Sequence, residues 1–151
     1  MSRPVTGVGT TECVFRRAGQ NASSMAPISE GITFLPTDDL EATHAFYAEV
    51  LGLECVLDQG TCRIYRVVGQ SYWGFCHRAA PVAPEQVVLT LCSDDVDAWH
   101  RRFVDRGIET DGPPRTNPTY GIYHFCTRDP NGYRIEVQRF LDPDWARRVS
   151  A

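Results

Sequence analysis

Apolar and polar positions alternate most regularly in Gly121–Phe140, GIYHFCTRDPNGYRIEVQRF. Ile122–Thr127 is rich in aromatic and β-favouring residues, Asp129-Pro130-Asn131-Gly132 is turn chemistry, and Tyr133–Phe140 resumes the alternation, so the stretch predicts a β-hairpin. Side chains on a strand alternate sides. Tyr133, Ile135 and Val137 therefore share one face, and Arg134, Glu136 and Gln138 the other. On the first strand His124 and Cys126 lie opposite Tyr123 and Phe125. The apolar rows suit packing on a helix. Where the polar rows meet, His124, Cys126, Glu136 and Gln138 would form one patch.

The same reading carried along the chain gives two similar units. In the first, Ile32–Leu35 reads as a strand, Thr37-Asp38-Asp39 as a helix start with Asp38 and Glu41 as a capping box, and Leu40–Leu51 as a helix stopped by Gly52. Its apolar face is Leu40, Phe46, Tyr47, Val50 and Leu51. Cys55–Leu57, Cys62–Val68 and Tyr72–Arg78 follow as strands. After a Pro-containing linker, residues 79–85, the order repeats. Val87–Cys92 is a strand, Ser93-Asp94-Asp95 a helix start, and Val96–Arg106 a helix bearing Val96, Trp99 and Phe103, stopped by Gly107. TDDLEATHAFYAEVLGLE and SDDVDAWHRRFVDRGIE show one succession, and Ile64-Tyr65-Arg66 recurs as Ile122-Tyr123-His124, as a duplicated module would leave. Gly112–Pro118 reads as a Pro-rich loop, and Leu141–Val149 as a short terminal helix within a tail, residues 142–151. Residues 1–29 lack periodicity and read as a disordered extension in which Met25 is an alternative start.

Length and composition narrow the class. The 151 residues suffice for one domain, with 42% hydrophobic and 23% charged residues typical of a soluble globular protein. A net charge of −4 and the lack of a dense Lys/Arg run argue against nucleic acid as partner. No apolar run approaches the ~20 residues of a membrane span. The six cysteines show no metal-ligand spacing, and most fall in predicted strands; without a secretory signal they read as reduced, buried thiols of a cytoplasmic protein.

A strand, then Asp129-Pro130-Asn131-Gly132, then a strand ending Ile135-Glu136-Val137 resembles the closing hairpin of the vicinal oxygen chelate superfamily, which includes glyoxalase I, bleomycin-resistance proteins and extradiol dioxygenases. The resemblance covers Gly31–Phe140 and implies an α+β fold: two paired βαβββ modules, residues 31–78 and 86–140 of a domain spanning 30–141, with a curved mixed sheet around a central cavity. It also implies a homodimer and a small-molecule partner. Family metal centres take a ligand from the first and last strand of each module. The last-strand position of module two is Glu136, but the other three are Ile32, Gly74 and Val88, which carry no donor. No cofactor is therefore expected, and a divalent metal only if Glu136 joins a divergent site. Cys126, ten residues before Glu136, stands where some relatives place a functional Tyr.

The expected cavity lining is Ile32, Phe34, Cys76, Val88, Thr90, Cys92, His124, Cys126, Glu136 and Gln138, with Trp73, Tyr120 and Tyr123 nearby. Glu136 is either a functional carboxylate or a residue ion-paired with Arg134 or Arg139. His124 is either a general base oriented by Glu136 or a hydrogen-bonded wall residue. Cys76, Cys92 and Cys126 read as core filler, with a thiolate site as the alternative. His44 and His100 hold matching, solvated helix positions. Three functions follow: a binder of a planar or aromatic molecule without the usual metal, a lyase, isomerase or dioxygenase-type enzyme using Glu136 and His124, or a silent interaction subunit.

Overall fold

In the computed structural model, residues 27–78 and 84–149 are described. The expected extension, as far as residue 26, and residues 79–83 of the linker lie outside them. Module one runs β1 (Gly31–Thr37), α1 (Leu40–His44) continuing into a π-helical stretch (Ala45–Val50), then β2 (Glu54–Asp58), β3 (Cys62–Val68) and β4 (Ser71–His77). Module two runs β5 (Val88–Cys92), α2 (Val96–Asp105), β6 (Arg115–Asn117), β7 (Ile122–Arg128) and β8 (Arg134–Phe140), and α3 (Trp145–Val149) follows. The strands form two four-stranded sheets, ordered β1-β4-β3-β2 and β5-β8-β7-β6, each with one parallel pairing between its first and last strand.

Local chemistry accounts for most boundaries. The cap of α1 is Asp39 rather than Asp38: its Oδ1 accepts from the N–H groups of Glu41 and Ala42 at 3.0 and 2.9 Å. Asp95 caps α2 through Ala98 N–H at 2.8 Å. Gly52 and Gly107 take φ of 76° and 70° just beyond the two helices, where a side chain would be strained. β6 falls where the sequence predicts a loop. Its three residues lie between Pro114 and Pro118 and pair only with β7, so no periodicity announces them.

The helices of the two modules meet at the centre. Phe46 stacks on Phe103 at 6.3 Å, Phe103 meets Phe125 edge-on, and Tyr47 lies 4.3 Å from Phe75 between ring centroids. Around them Leu35, Tyr65, Leu89, Val96, Ile135 and Val137 complete one core shared by both sheets. Trp73 belongs to this core, 7% exposed and edge-on to Tyr47, and is not a ligand-facing residue. Alternation sends Trp73 and Phe75 inward and Gly74 and Cys76 outward.

A polar seam also joins the modules. Tyr47 Oη donates to Asp129 Oδ2 at 2.9 Å, Tyr133 Oη donates to the Pro36 carbonyl at 2.8 Å, and Thr37 Oγ1 lies 2.6 Å from Asn131 Oδ1. Asn131 Nδ2 donates to Thr43 Oγ1 and to Asp129 Oδ2. The hairpin turn of module two is thus tied to the first strand and helix of module one. Arg102 Nε adds a bond to the Val50 carbonyl at 2.7 Å, capping the end of the π-helical stretch.

The cysteine expectation is corrected at one pair. Cys62 and Cys76 face each other across β3 and β4 with Cα atoms 4.0 Å apart and form a disulfide, so Cys76 is not a free thiol. Sequence spacing did not reveal it because strand register decides who faces whom. Cys55, Cys92 and Cys126 are free.

Candidate functional site

Register builds the site on the sheet face turned away from the helices. Thr90 on β5 pairs with Glu136 on β8, and Glu136 pairs with Cys126 on β7. The next row is Cys92, Gln138 and His124. The polar patch expected from the alternation is therefore assembled. His124 Nδ1 lies 2.7 Å from Glu136 Oε1, and Thr90 Oγ1 donates to Glu136 Oε2 at 3.3 Å. Glu136 pairs with neither Arg134 nor Arg139 among the ion pairs of the described residues; its partner is His124, with side-chain exposures of 7% for the imidazole and 17% for the carboxylate.

Cys126 is 3% exposed, and Arg134 Nη2 donates to its Sγ at 3.0 Å. Burial pushes the thiol pKa up, with Arg134 opposing. The Cys126 N–H donates to Asp111 Oδ1 at 2.7 Å, and Asp111 Oδ2 takes Arg115 Nη2 at 2.6 Å. Burial pushes the Asp111 pKa up, but these two bonds outweigh it and hold the group below its ordinary value. The sequence names Arg134 only as a possible ion-pair partner of Glu136, and Asp111 not at all. The signal for Arg134 was its place on the polar row of β8; none marked Asp111, which lies 15 residues from Cys126.

A cleft of about 640 Å3 opens at this end of the sheet, walled by Phe46, Ile108, Asp111, Cys126, Pro130 and Arg134 among others. Cys126 and Arg134 thus belong to both the polar face and the cleft. Gln138 is buried, with Nε2 4.0 Å from Cys92 Sγ. Tyr120, 74% exposed, stands on a loop and makes no part of the arrangement. His44 and His100 are not merely solvated: they are half-buried, bonded to Tyr65 Oη at 3.0 Å and Thr110 Oγ1 at 3.2 Å.

The corresponding face of module one carries different chemistry. Gly74 pairs with Phe34 and Ile64 as Glu136 pairs with Thr90 and Cys126, and Cys62 pairs with Cys76 as His124 pairs with Gln138. The module-one counterparts of His124, Cys126 and Glu136 are therefore Cys62, Ile64 and Gly74. Ile64-Tyr65-Arg66 matches Cys126-Thr127-Arg128, four residues beyond the recurrence read from sequence. The Phe34 ring covers Gly74 closely: a Cβ there would stand 2.5 Å from Phe34 Cδ1. Ile32, Phe34 and Val88 stay 41, 56 and 48% exposed, so these positions border open surface rather than an enclosed cavity. A family-type metal centre does not fit. Three of its four positions offer no donor, and an aromatic ring lies over one of them.

Fold and site together define an α+β protein of two βαβββ modules, with a polar, His- and Glu-bearing face on the second. The profile of the Glyoxalase/Bleomycin resistance protein/Dioxygenase superfamily matches residues 31–137, and the chain belongs to that superfamily. A lactoylglutathione lyase structure from Agrobacterium tumefaciens is 30% identical, with TM-score 0.61 over 75% of this chain and 94% of that one. A glyoxalase/bleomycin resistance protein/dioxygenase from Nocardioides is 20% identical, with TM-score 0.66 over 81% and 89%. A bleomycin resistance determinant encoded on transposon Tn5 is 23% identical, with TM-score 0.61 over 75% and 98%. No curated protein sequence matches the chain. Among the described residues no helix is long and apolar enough to cross a membrane.

Proposed function

We propose that the protein binds a small planar molecule where the cleft meets the β5-β8-β7 face, without the four-position metal centre of its family. The observation that carries this reading is the double membership of Cys126 and Arg134, in the cleft wall and in the polar row with Glu136. The cleft volume lies within the range of small-molecule sites, and its wall combines Phe46, Ile108 and Pro130 with the Arg134 guanidinium. Arginine stacks on planar groups and bonds their polar edges. A thermal-shift screen of aromatic and planar compounds tests this. Hits should be recovered chemically unchanged, and Arg134→Ala should weaken them at least about tenfold, the loss of roughly one charged hydrogen bond. Equal affinity in Arg134→Ala overturns the reading.

A second reading is favoured by the 2.7 Å contact between His124 and Glu136. A carboxylate that orients an imidazole is the arrangement of a general base, as in lyase or isomerase chemistry, and the 30% identical structure is named a lyase. Glu136→Gln should then abolish turnover of a converted compound while leaving the melting temperature within a few degrees; full turnover in that variant sinks it. In either case we place a second copy of the chain over the exposed Ile32 and Phe34 of β1. Sedimentation should show a dimer that Phe34→Asp converts to monomer.

A further inference from the structure

We propose that His124, Cys126 and Glu136 bind one divalent transition ion, Zn2+ or Co2+ in preference to Mg2+ or Ca2+, in a set that keeps one of the family's four metal positions, Glu136, and takes its other two donors from β7. Their ligand atoms all lie within 4.8 Å of one another. Cys126 stands directly opposite Glu136, with His124 two residues along the same strand face, so one pair of neighbouring strands sets all three donors. The set uses none of Ile32, Gly74 and Val88.

The adjustment required is small. Metal–ligand bonds of about 2.0–2.3 Å in tetrahedral geometry place donor atoms roughly 3.3–3.8 Å apart. His124 Nδ1 and Glu136 Oε1, now 2.7 Å apart, would separate by roughly 0.6–1.1 Å as an ion takes the place of the bridging hydrogen. The wider donor pairs would close by a similar amount, within the reach of χ rotation. A thiolate and a carboxylate neutralise the two charges of the ion: the thiol proton is released to solvent, and the imidazole coordinates through Nδ1 as the neutral ring, with its one proton on Nε2. Arg134 Nη2, 3.0 Å from Sγ, would remain as a hydrogen-bond donor to the bound thiolate. Thr90 Oγ1, on Glu136 Oε2, holds the carboxylate in the same way. A thiolate with an imidazole selects borderline and soft ions over hard ones. Three protein ligands also leave a coordination position for water or a small molecule.

The inference goes beyond the ligand-binding reading, and its readout contains no ligand. The full chain, freed of any affinity tag, is titrated with Co2+ and followed by the thiolate-to-cobalt charge-transfer absorption in the near ultraviolet. We expect saturation at one ion per chain, displacement by Zn2+ and none by a large excess of Mg2+. Cys126→Ser should lose the band, while Cys55→Ser on β2 should keep it. His124→Gln should weaken the titration at least about tenfold, the low end for a disturbed metal site. His124→Gln also decides the matter should Cys126→Ser fail to fold. No charge-transfer band in the wild type, a band that survives in folded Cys126→Ser, or unaltered affinity in His124→Gln overturns the proposal.

Discussion

Tyr47→Phe should destabilise the protein by about 2 kcal/mol, the usual net worth of a hydrogen bond to a charged group. The ring stays where it is, fully buried against Phe75 and Tyr65, so the change is confined to the hydroxyl. What is lost is the bond to Asp129 Oδ2 at 2.9 Å. Asp129 keeps the N–H groups of Asn131 and Tyr133 on Oδ1 and Asn131 Nδ2 on Oδ2, so three of its four side-chain hydrogen bonds survive. Urea unfolding measures the effect: the midpoint should fall with no change in slope, and melting should drop by about 6–8 °C for a chain of this size.

The loss should also depend on pH in a particular direction. Burial holds the Asp129 pKa above its ordinary value, and the Tyr47 and Asn131 bonds pull it partly back. Removing Tyr47 Oη lets it rise further. An acid whose pKa is higher folded than unfolded binds protons more readily in the native state, so its contribution improves as pH falls. The gap between variant and wild type is therefore largest at neutral pH and narrows as Asp129 is protonated. A loss below about 0.5 kcal/mol, or a gap that widens in acid, would refute the argument.

Other consequences are measurable in the same way. Asn131→Ala removes one hydrogen bond each from Thr37, Thr43 and Asp129 Oδ2, and should cost about 2–4 kcal/mol by urea unfolding, the sum of three lost bonds at groups that each keep another partner. Reducing the Cys62–Cys76 disulfide, 14 residues apart in sequence, should cost about 3 kcal/mol, and the same reductant should leave a Cys62→Ser/Cys76→Ser double variant unaffected. Arg63 holds Glu41 below its ordinary pKa, and the Gly60 N–H followed by Arg63 does so for Asp58. Carboxyls so depressed stabilise the fold above their unfolded pKa and cease to as pH falls through the folded one. Arg63→Gln should therefore flatten the acid side of the stability curve, and about 1 M salt should erase the difference.

The elements were largely readable because each carries its own period and punctuation. Tyr133, Ile135 and Val137 alternate with Arg134, Glu136 and Gln138, and the structure buries the first set behind the second. The meeting of His124 with Glu136 followed from that alternation plus a tight turn, since both lie on one hairpin. Contacts set by register or by long sequence separation were not readable. Thr37 and Asn131 are 94 residues apart, and nothing local says that the turn of one module closes on the first strand of the other. Trp73 was misplaced by the same blindness: an aromatic beside Gly74 looks available to a ligand until the sheet shows which way it turns. The disulfide depends on β3 and β4 aligning Cys62 with Cys76, a register to which the bulge between Arg66 and Val68 contributes.

The two halves carry different chemistry at matching positions of the sheet. At the positions where module two carries an imidazole, a thiol and a carboxylate, module one carries half of a covalent brace, an isoleucine and a glycine roofed by Phe34. On the proposed function this is a division of labour within one scaffold, the donor-bearing copy serving the ligand and the braced copy serving rigidity. Tolerance to substitution should divide along the same line. Apolar replacements at Ile64 or Ile32 should pass with little effect on what the protein does, while the matching rows of β7 and β8 should accept almost nothing.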